Sequence, residues 1–218
     1  LMEFSADGLA VVLLPNSNQY SFINTTGVPL ATTISSFKLI ELMGFGVKGF
    51  NSGMVAIRVG NFWGFINSQG ILVIPPKYDE VTEFFEGYAI VKLKKKISII
   101  NTKWNEIPVE GADDVKHFSG GLAPYYSKSG SVGFIDTNGK VVIQPAFKSV
   151  GYFLGGIAWA KTSDGKVGFI DKSGQWVIQP KYDAAKEIDP VSRMALVKSG
   201  VQWSYISPEG ETLKIDLD

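Results

Sequence analysis

Phe153-Leu154-Gly155-Gly156-Ile157-Ala158-Trp159-Ala160-Lys161, Lys166-Val167-Gly168-Phe169-Ile170-Asp171 and Gln175-Trp176-Val177-Ile178-Gln179-Pro180-Lys181-Tyr182-Asp183 are the runs from which the fold is read. Three short segments rich in β-branched and aromatic residues alternate with turn formers, the pattern of an antiparallel meander. The first turn, Ser163-Asp164-Gly165-Lys166, carries an Asp-Gly pair suited to a tight hairpin. The second, Asp171-Lys172-Ser173-Gly174, opens on a carboxylate able to accept a backbone N–H two residues on. It closes on a glycine suited to the left-handed conformation.

The same unit returns along the chain. Phe22-Ile23, Phe65-Ile66, Ile99-Ile100, Phe134-Ile135, Phe169-Ile170 and Tyr205-Ile206 are spaced by 43, 34, 35, 35 and 36 residues, which marks a tandem repeat. The second turn recurs as Asn24 to Gly27, Asn67 to Gly70, Asp136 to Gly139 and Ser207 to Gly210. Units run approximately over 4–49, 50–83, 84–117, 118–152, 153–188 and 189–218, as a single repeat domain. In the first strand the second column is Ala10, Val55, Ala89, Ala123, Ala158 and Ala195, small residues that allow close approach between units. Proline in Ile74-Pro75-Pro76 and in Gln179-Pro180 belongs at a strand end or on a sheet edge. Phe50, Phe84, Phe118 and Phe153 each stand three residues before the glycine that opens the next first strand.

The Gly-Leu-Ala of Gly121-Leu122-Ala123, Trp63-Gly64-Phe65-Ile66-Asn67 and Ile74-Pro75-Pro76-Lys77-Tyr78-Asp79 resemble the signatures of the bacterial WG-containing (KWG) repeat family. The resemblance extends over almost the whole chain. Only the second copy keeps Trp-Gly; the fourth and fifth keep Gly133 and Gly168 after valine, and the third has Trp104-Asn105 in place of the turn glycine. The resemblance implies a β-rich array and no reaction, and it brings no catalytic residues with it.

The expected fold is therefore all-β: six tandem three-stranded β-meander repeats of ~35 residues in an open superhelical array. A four-stranded propeller blade takes ~40 to 45 residues, which disfavours a ring. The alternative is a closed six-bladed propeller-like ring, in which Lys77-Tyr78-Asp79-Glu80-Val81 and its counterparts supply a fourth, outer strand. The long first interval reads as an insertion, with a short helix over residues 35–43 that sets Phe37, Ile40 and Met43 on one face.

Composition narrows the function classes. Twenty-one basic and 21 acidic side chains cancel, so no global field draws in nucleic acid. No cysteine is present to form a disulfide or thiolate site, and no apolar run approaches the ~20 residues that span a bilayer. A start at Leu1 fits a processed chain and equally a cloning boundary; a secreted or cell-envelope location is slightly favoured over a cytoplasmic one.

Chemical motifs are few. Gly44-Phe45-Gly46-Val47-Lys48-Gly49 matches the dinucleotide fingerprint but lacks the preceding strand, the following helix and the acidic residue ~20 positions on; it reads as a linker. Ser35-Ser36-Phe37-Lys38 fits S-x-x-K with no companion motif. His117 is the only histidine and reads as a surface crossing residue rather than a base or ligand. Asn24-Thr25-Thr26 is a sequon whose side chains also form a hairpin turn, and Lys94-Lys95-Lys96 reads as a solvated turn rather than an anion site. No catalytic, cofactor or metal residues are expected.

Two candidate sets come from reading columns across copies. The fifth column of the first strand is Leu13, Arg58, Lys92, Tyr126, Lys161 and Lys198, a basic stripe able to receive an acidic partner or simply strand ends facing water. The second set is Tyr125, Tyr126, Trp159 and Trp176, which suit a sugar face or a protein anchor if exposed and the core if buried. The leading expectation is a non-enzymatic scaffold that binds another protein through one face of the array. The alternative is a carbohydrate-binding module of the cell envelope, with a glycan as partner.

Overall fold

Each repeat is pinned locally by its second turn. Asn24 Oδ1 accepts the N–H groups of Thr26 and Val28 at 3.1 and 2.9 Å, and Asn67 Oδ1 those of Gln69 and Ile71. Asn101, Asp136, Asp171 and Ser207 repeat this arrangement. The hydrogen bond from the Ser173 hydroxyl, together with backbone N–H groups, holds the Asp171 carboxyl below its ordinary range. Glycine closes five of these turns at positive φ; in the third, Trp104 takes φ 67° instead, a conformation that costs a side-chain-bearing residue energy.

The computed structural model describes residues 4–14, 19–34, 36–42 and 46–213, with 41, 42 and 46 described by backbone alone. Two compact units, Leu1–Val109 and Glu110–Asp218, divide the chain. In the first unit, β1 (Leu9–Leu13) and β2 (Tyr20–Asn24) make the first sheet. The second sheet joins β3 (Lys38–Leu39) to β6 (Met54–Val59), β7 (Phe62–Asn67) and β8 (Leu72–Tyr78). Between them β4 (Glu41–Leu42) pairs with β5 (Gly46–Val47). The third sheet runs β9 (Glu80–Val81), β10 (Tyr88–Leu93), β11 (Lys96–Asn101), β12 (Glu106–Val109).

In the second unit the fourth sheet holds β13 (Ala112–Val115), β14 (Leu122–Ser127), β15 (Val132–Asp136) and β16 (Val141–Phe147). The fifth holds β17 (Ser149–Val150), β18 (Ile157–Lys161), β19 (Val167–Asp171) and β20 (Trp176–Tyr182). The sixth holds β21 (Ala184–Ala185), β22 (Ala195–Ser199) and β23 (Gln202–Ile206). Among the described residues all strand pairings are antiparallel, and no sheet closes on itself as a barrel.

The all-β reading holds, with the outer strand that the alternative reading placed at Glu80-Val81 and with one correction. A short outer strand joins the meander: Glu80 and Val81, two residues beyond the end of β8, pair with Lys92 and Val91 of the next sheet. The Lys-Tyr-Asp crossing is thus shared between neighbouring sheets. Its aspartate caps the next hairpin, since Asp79 Oδ2 accepts the Lys94 N–H and Asp183 Oδ2 the Gly200 N–H, both at 2.6 Å. The helix expected over 35–43 is not formed: Lys38–Leu39 and Glu41–Leu42 are strands, while Ser35 and Met43 lie outside the described residues. The physical reason is two-sided burial. Phe37 and Leu39 pack into the core between the first and second sheets, and Ile40 packs into the next core, an alternation only an extended chain provides. The fingerprint's Gly46–Val47 is likewise strand, and Gly44 and Phe45 lie outside the described residues.

Within each unit, successive sheets pack face to face. Leu9, Val11 and Phe22 meet Val55, Ile57 and Ile66; Met54, Ala56 and Phe65 meet Ala89, Val91 and Ile100. In the second unit Leu122 and Phe134 meet Ala158, Ala160 and Ile170, and Phe169 meets Ala195, Val197 and Ile206. The small column thus lies between sheets, where close approach needs it. The crossing phenylalanines clasp the repeat before them: Phe50 packs edge-on against Phe22, Phe84 against Phe65 and Phe153 against Phe134, at 4.8, 5.1 and 4.8 Å between centroids.

The glycine before the aromatic marks a register shift. In β7–β8, Trp63 faces Tyr78 but Phe65 faces Ile74, so two residues oppose four; β15–β16 and β19–β20 repeat the shift. The bulged strand lies over Gly64, Gly133 and Gly168, where a Cβ would run into the carbonyl oxygens of Ile74, Ile143 and Ile178. Where Ser98 stands instead, β11–β12 stays in regular register. The prolines of β8, β12, β16 and β20 fall on strands at the end of their sheets, whereas Pro124 lies on the inner strand β14.

Candidate functional site

The fifth column occupies the same place in five sheets, half-buried near the end of the strand beside the outer strand. A transverse row of side chains results in each sheet, because residues paired across strands project from the same face. In the second sheet the row is Lys38, Arg58, Trp63; in the third it is Glu80, Lys92, Ile97. The fourth has Asp114, Tyr126 and Val132, the fifth Ser149, Lys161 and Val167, the sixth Ala184, Lys198 and Trp203.

Charge is handled differently from row to row. Lys92 Nζ pairs with Glu80 Oε2 at 3.1 Å. Tyr126 lies under Lys116 Nζ, 5.5 Å from its ring centroid, and Lys116 pairs with Asp114 at 2.6 Å. Beside it, His117 stacks on Tyr152 at 4.0 Å. Burial, together with Tyr126, Glu187 and Asp114, pushes Tyr152 up to about 12. Lys198 lies over the Trp203 ring at 5.9 Å, and Arg58 over Trp63 at 5.8 Å. Arg58 Nε is buried and finds no hydrogen-bond partner among the described residues. Lys38 and Trp63 were not among the candidate binding residues read from sequence; Lys38 stood only in the S-x-x-K match and the supposed helix, and Trp63 in the Trp-Gly signature.

Tyr125, Trp159 and Trp176 do not form one exposed surface. Tyr125 is 6% exposed, and its hydroxyl donates to the Glu110 carbonyl at 3.2 Å. Trp176 stands edge-on to Phe147 at 5.7 Å against the core between the fourth and fifth sheets. Trp159 packs against the core between the fifth and sixth, with Nε1–H donating to Glu187 Oε1 at 3.3 Å. One-residue alternation explains the outcome: Tyr125 and Tyr126 point to opposite faces of β14. Among the described residues no group of three or more His, Asp or Glu is placed to hold a metal ion, and no helix is long and apolar enough to cross a membrane.

A second polar cluster was not anticipated. Tyr78 Oη and Lys77 Nζ both donate to Glu106 Oε2, at 3.0 and 3.2 Å, and Lys77 lies 4.7 Å above the Tyr78 ring. It ties the end of one repeat to the last strand of the next, where Phe147 and Trp176 make the equivalent contact in aromatic form.

Fold and site define a class: tandem antiparallel β-sheet repeats carrying a charged and aromatic row at their strand ends. The family profile of the WG containing repeat matches residues 63–96, 133–166 and 168–189. No curated protein matches the sequence. Among solved structures, the computationally designed Ika8 protein superposes with a TM-score of 0.55 at 16% identity, covering 96% of this chain and 71% of that one. Kluyveromyces lactis Hsv2p gives 0.50 at 16% identity over 92% and 71%. The C-terminal WD40 domain of Sif2 gives 0.44 at 11% identity over 91% and 66%. The likeness is one of fold.

Proposed function

We propose that the chain is a non-enzymatic β-repeat scaffold that binds another protein through the strand ends bearing Arg58 and Lys92 in the first unit and Tyr126, Lys161 and Lys198 in the second. The observation that carries this reading is the row itself: five sheets place a half-buried cationic or aromatic side chain at one register position. Arginine and tyrosine are enriched among the side chains that anchor protein contacts. Cation-bearing rows favour an acidic partner surface.

The test is affinity capture from an extract of the source cells with the immobilised chain and a variant carrying Arg58→Glu, Lys92→Glu, Lys161→Glu and Lys198→Glu. Enrichment of a protein by the parent chain and its loss from the variant, at an unchanged circular-dichroism melting curve, is the expected result. Equal capture by both removes the rows from the binding surface.

A further inference from the structure

We propose that the cleft at the hairpin ends of the first and second sheets binds a carboxylate side chain of an acidic peptide segment, held by Arg58 and Lys38. The inference rests on the protein-binding reading and names the chemistry of one contact. The cleft encloses about 510 Å³. Leu13, Tyr20 and Leu39 are among its apolar walls, and Lys38, Arg58 and Trp63 bring charge and an indole ring to its lining.

Two independent features point to a missing anion. The first is electrostatic: Lys38 pairs directly across the strands with Arg58, and like charges directly opposite destabilise a sheet. At the matching place the third sheet sets Glu80 against Lys92, and the fourth sets Asp114 beside Lys116. Among the described outer strands, only that of the second sheet places a cation in this row. The second feature is the buried Arg58 Nε, which has no acceptor among the described residues, although buried donors are normally satisfied. A carboxylate between the two cations answers both: it neutralises the repulsion and gives the guanidinium a fork-shaped acceptor.

The walls decide the carrier. Apolar side chains on one flank suit a peptide in which the carboxylate neighbours a leucine or phenylalanine. Stacking of a sugar ring is disfavoured, because the Trp63 ring has Arg58 over it at 5.8 Å.

The experiment is nuclear magnetic resonance of the full chain, following the Arg58 Nε–H and the Trp63 indole N–H, assigned with Arg58→Lys and Trp63→Phe. The probes are the blocked hexapeptide Leu-Glu-Leu-Glu-Phe-Glu, the same peptide with glutamine for every glutamate, inorganic phosphate and glucuronate. The glutamate peptide is expected to shift both resonances saturably. The glutamine peptide should bind about 10- to 100-fold more weakly, as loss of a charge-assisted hydrogen bond implies. Lys38→Glu should place an internal carboxylate against Arg58, weaken the glutamate peptide to the same degree and leave the melting temperature unchanged or raised. Stationary resonances, equal binding of the two peptides, or equal shifts from phosphate or glucuronate overturn the assignment. The scaffold reading fails on its own terms, through protein capture that ignores charge reversal. Capture that depends on the rows while these two resonances stay still overturns the cleft alone.

Discussion

Replacing Gly133 with alanine isolates the device that shapes the second, fourth and fifth sheets. The backbone of Gly133 needs no positive φ, so the substitution adds a steric demand without a conformational one. The added Cβ would sit 2.7 Å from Pro145 N and 2.8 Å from Gln144 C, and against the Ile143 carbonyl oxygen. Ordinary contact is near 3.4 Å, so a proline-stiffened strand must retreat by more than half an ångström, and the Ile143 side chain moves with it out of the core between the fourth and fifth sheets. Overpacking of this kind costs about 1–3 kcal/mol, and backbone obstruction on several atoms at once puts Gly133→Ala near the top of that range, at about 3 kcal/mol. In a unit of this size the loss lowers the melting temperature by roughly 10 °C or more. Urea unfolding followed by tryptophan fluorescence measures it, with Ser98→Ala as the control, because the same column already carries a Cβ there and its ladder is in register. A Gly133→Ala change within about 0.5 kcal/mol of the parent, the ordinary range for surface sites, refutes the reasoning.

Three further outcomes are expected. Phe153→Ala removes a ring that is 1% exposed and packed on Phe134; it should cost about 3–5 kcal/mol in calorimetry, and a loss under about 1 kcal/mol contradicts the clasp between repeats. Trp159→Ala should lower stability by about 2–3 kcal/mol, because the ring packs over Gly151 and into a core; an unchanged melting curve would return the ring to the surface. For Glu106, burial raises the carboxyl, but hydrogen bonds from Tyr78 and Lys77 outweigh it and hold it below 4.5. A depressed folded value means stability present above the unfolded value and lost as pH falls through the folded one. Glu106→Gln should therefore be less stable than the parent at neutral pH and converge with it below 4.5, read from urea midpoints at successive pH values; a gap independent of pH counts against the cluster.

Much of this was legible in the residues because it is local. An Asx side chain three positions before a glycine makes its turn with atoms four residues apart at most, and Asn24, Asn67, Asp136 and Asp171 do so in identical fashion. The alanine column and the crossing phenylalanines were legible too, since a copied unit must repeat its packing surface. The insertion was misread because Phe37, Ile40 and Met43 fit a helical spacing, while burial on both sides of a strand produces nearly the same pattern over so few residues.

The sequence by itself determined the repeating unit, its order of strands, its turns and the absence of a global charge, because each depends on neighbours along the chain. Tertiary structure decided what faces what. Lys38 meets Arg58 across 20 residues, Glu80 meets Lys92, and Phe147 meets Trp176 across 29, pairings set by strand register. That register is reset by the bulges over Gly64, Gly133 and Gly168, where two residues oppose four. A shift of one residue would have sent every side chain in the rows to the other face, which is why the column of cations was visible in the chain but the unbalanced pair at Lys38 and Arg58 was visible only in the folded sheet.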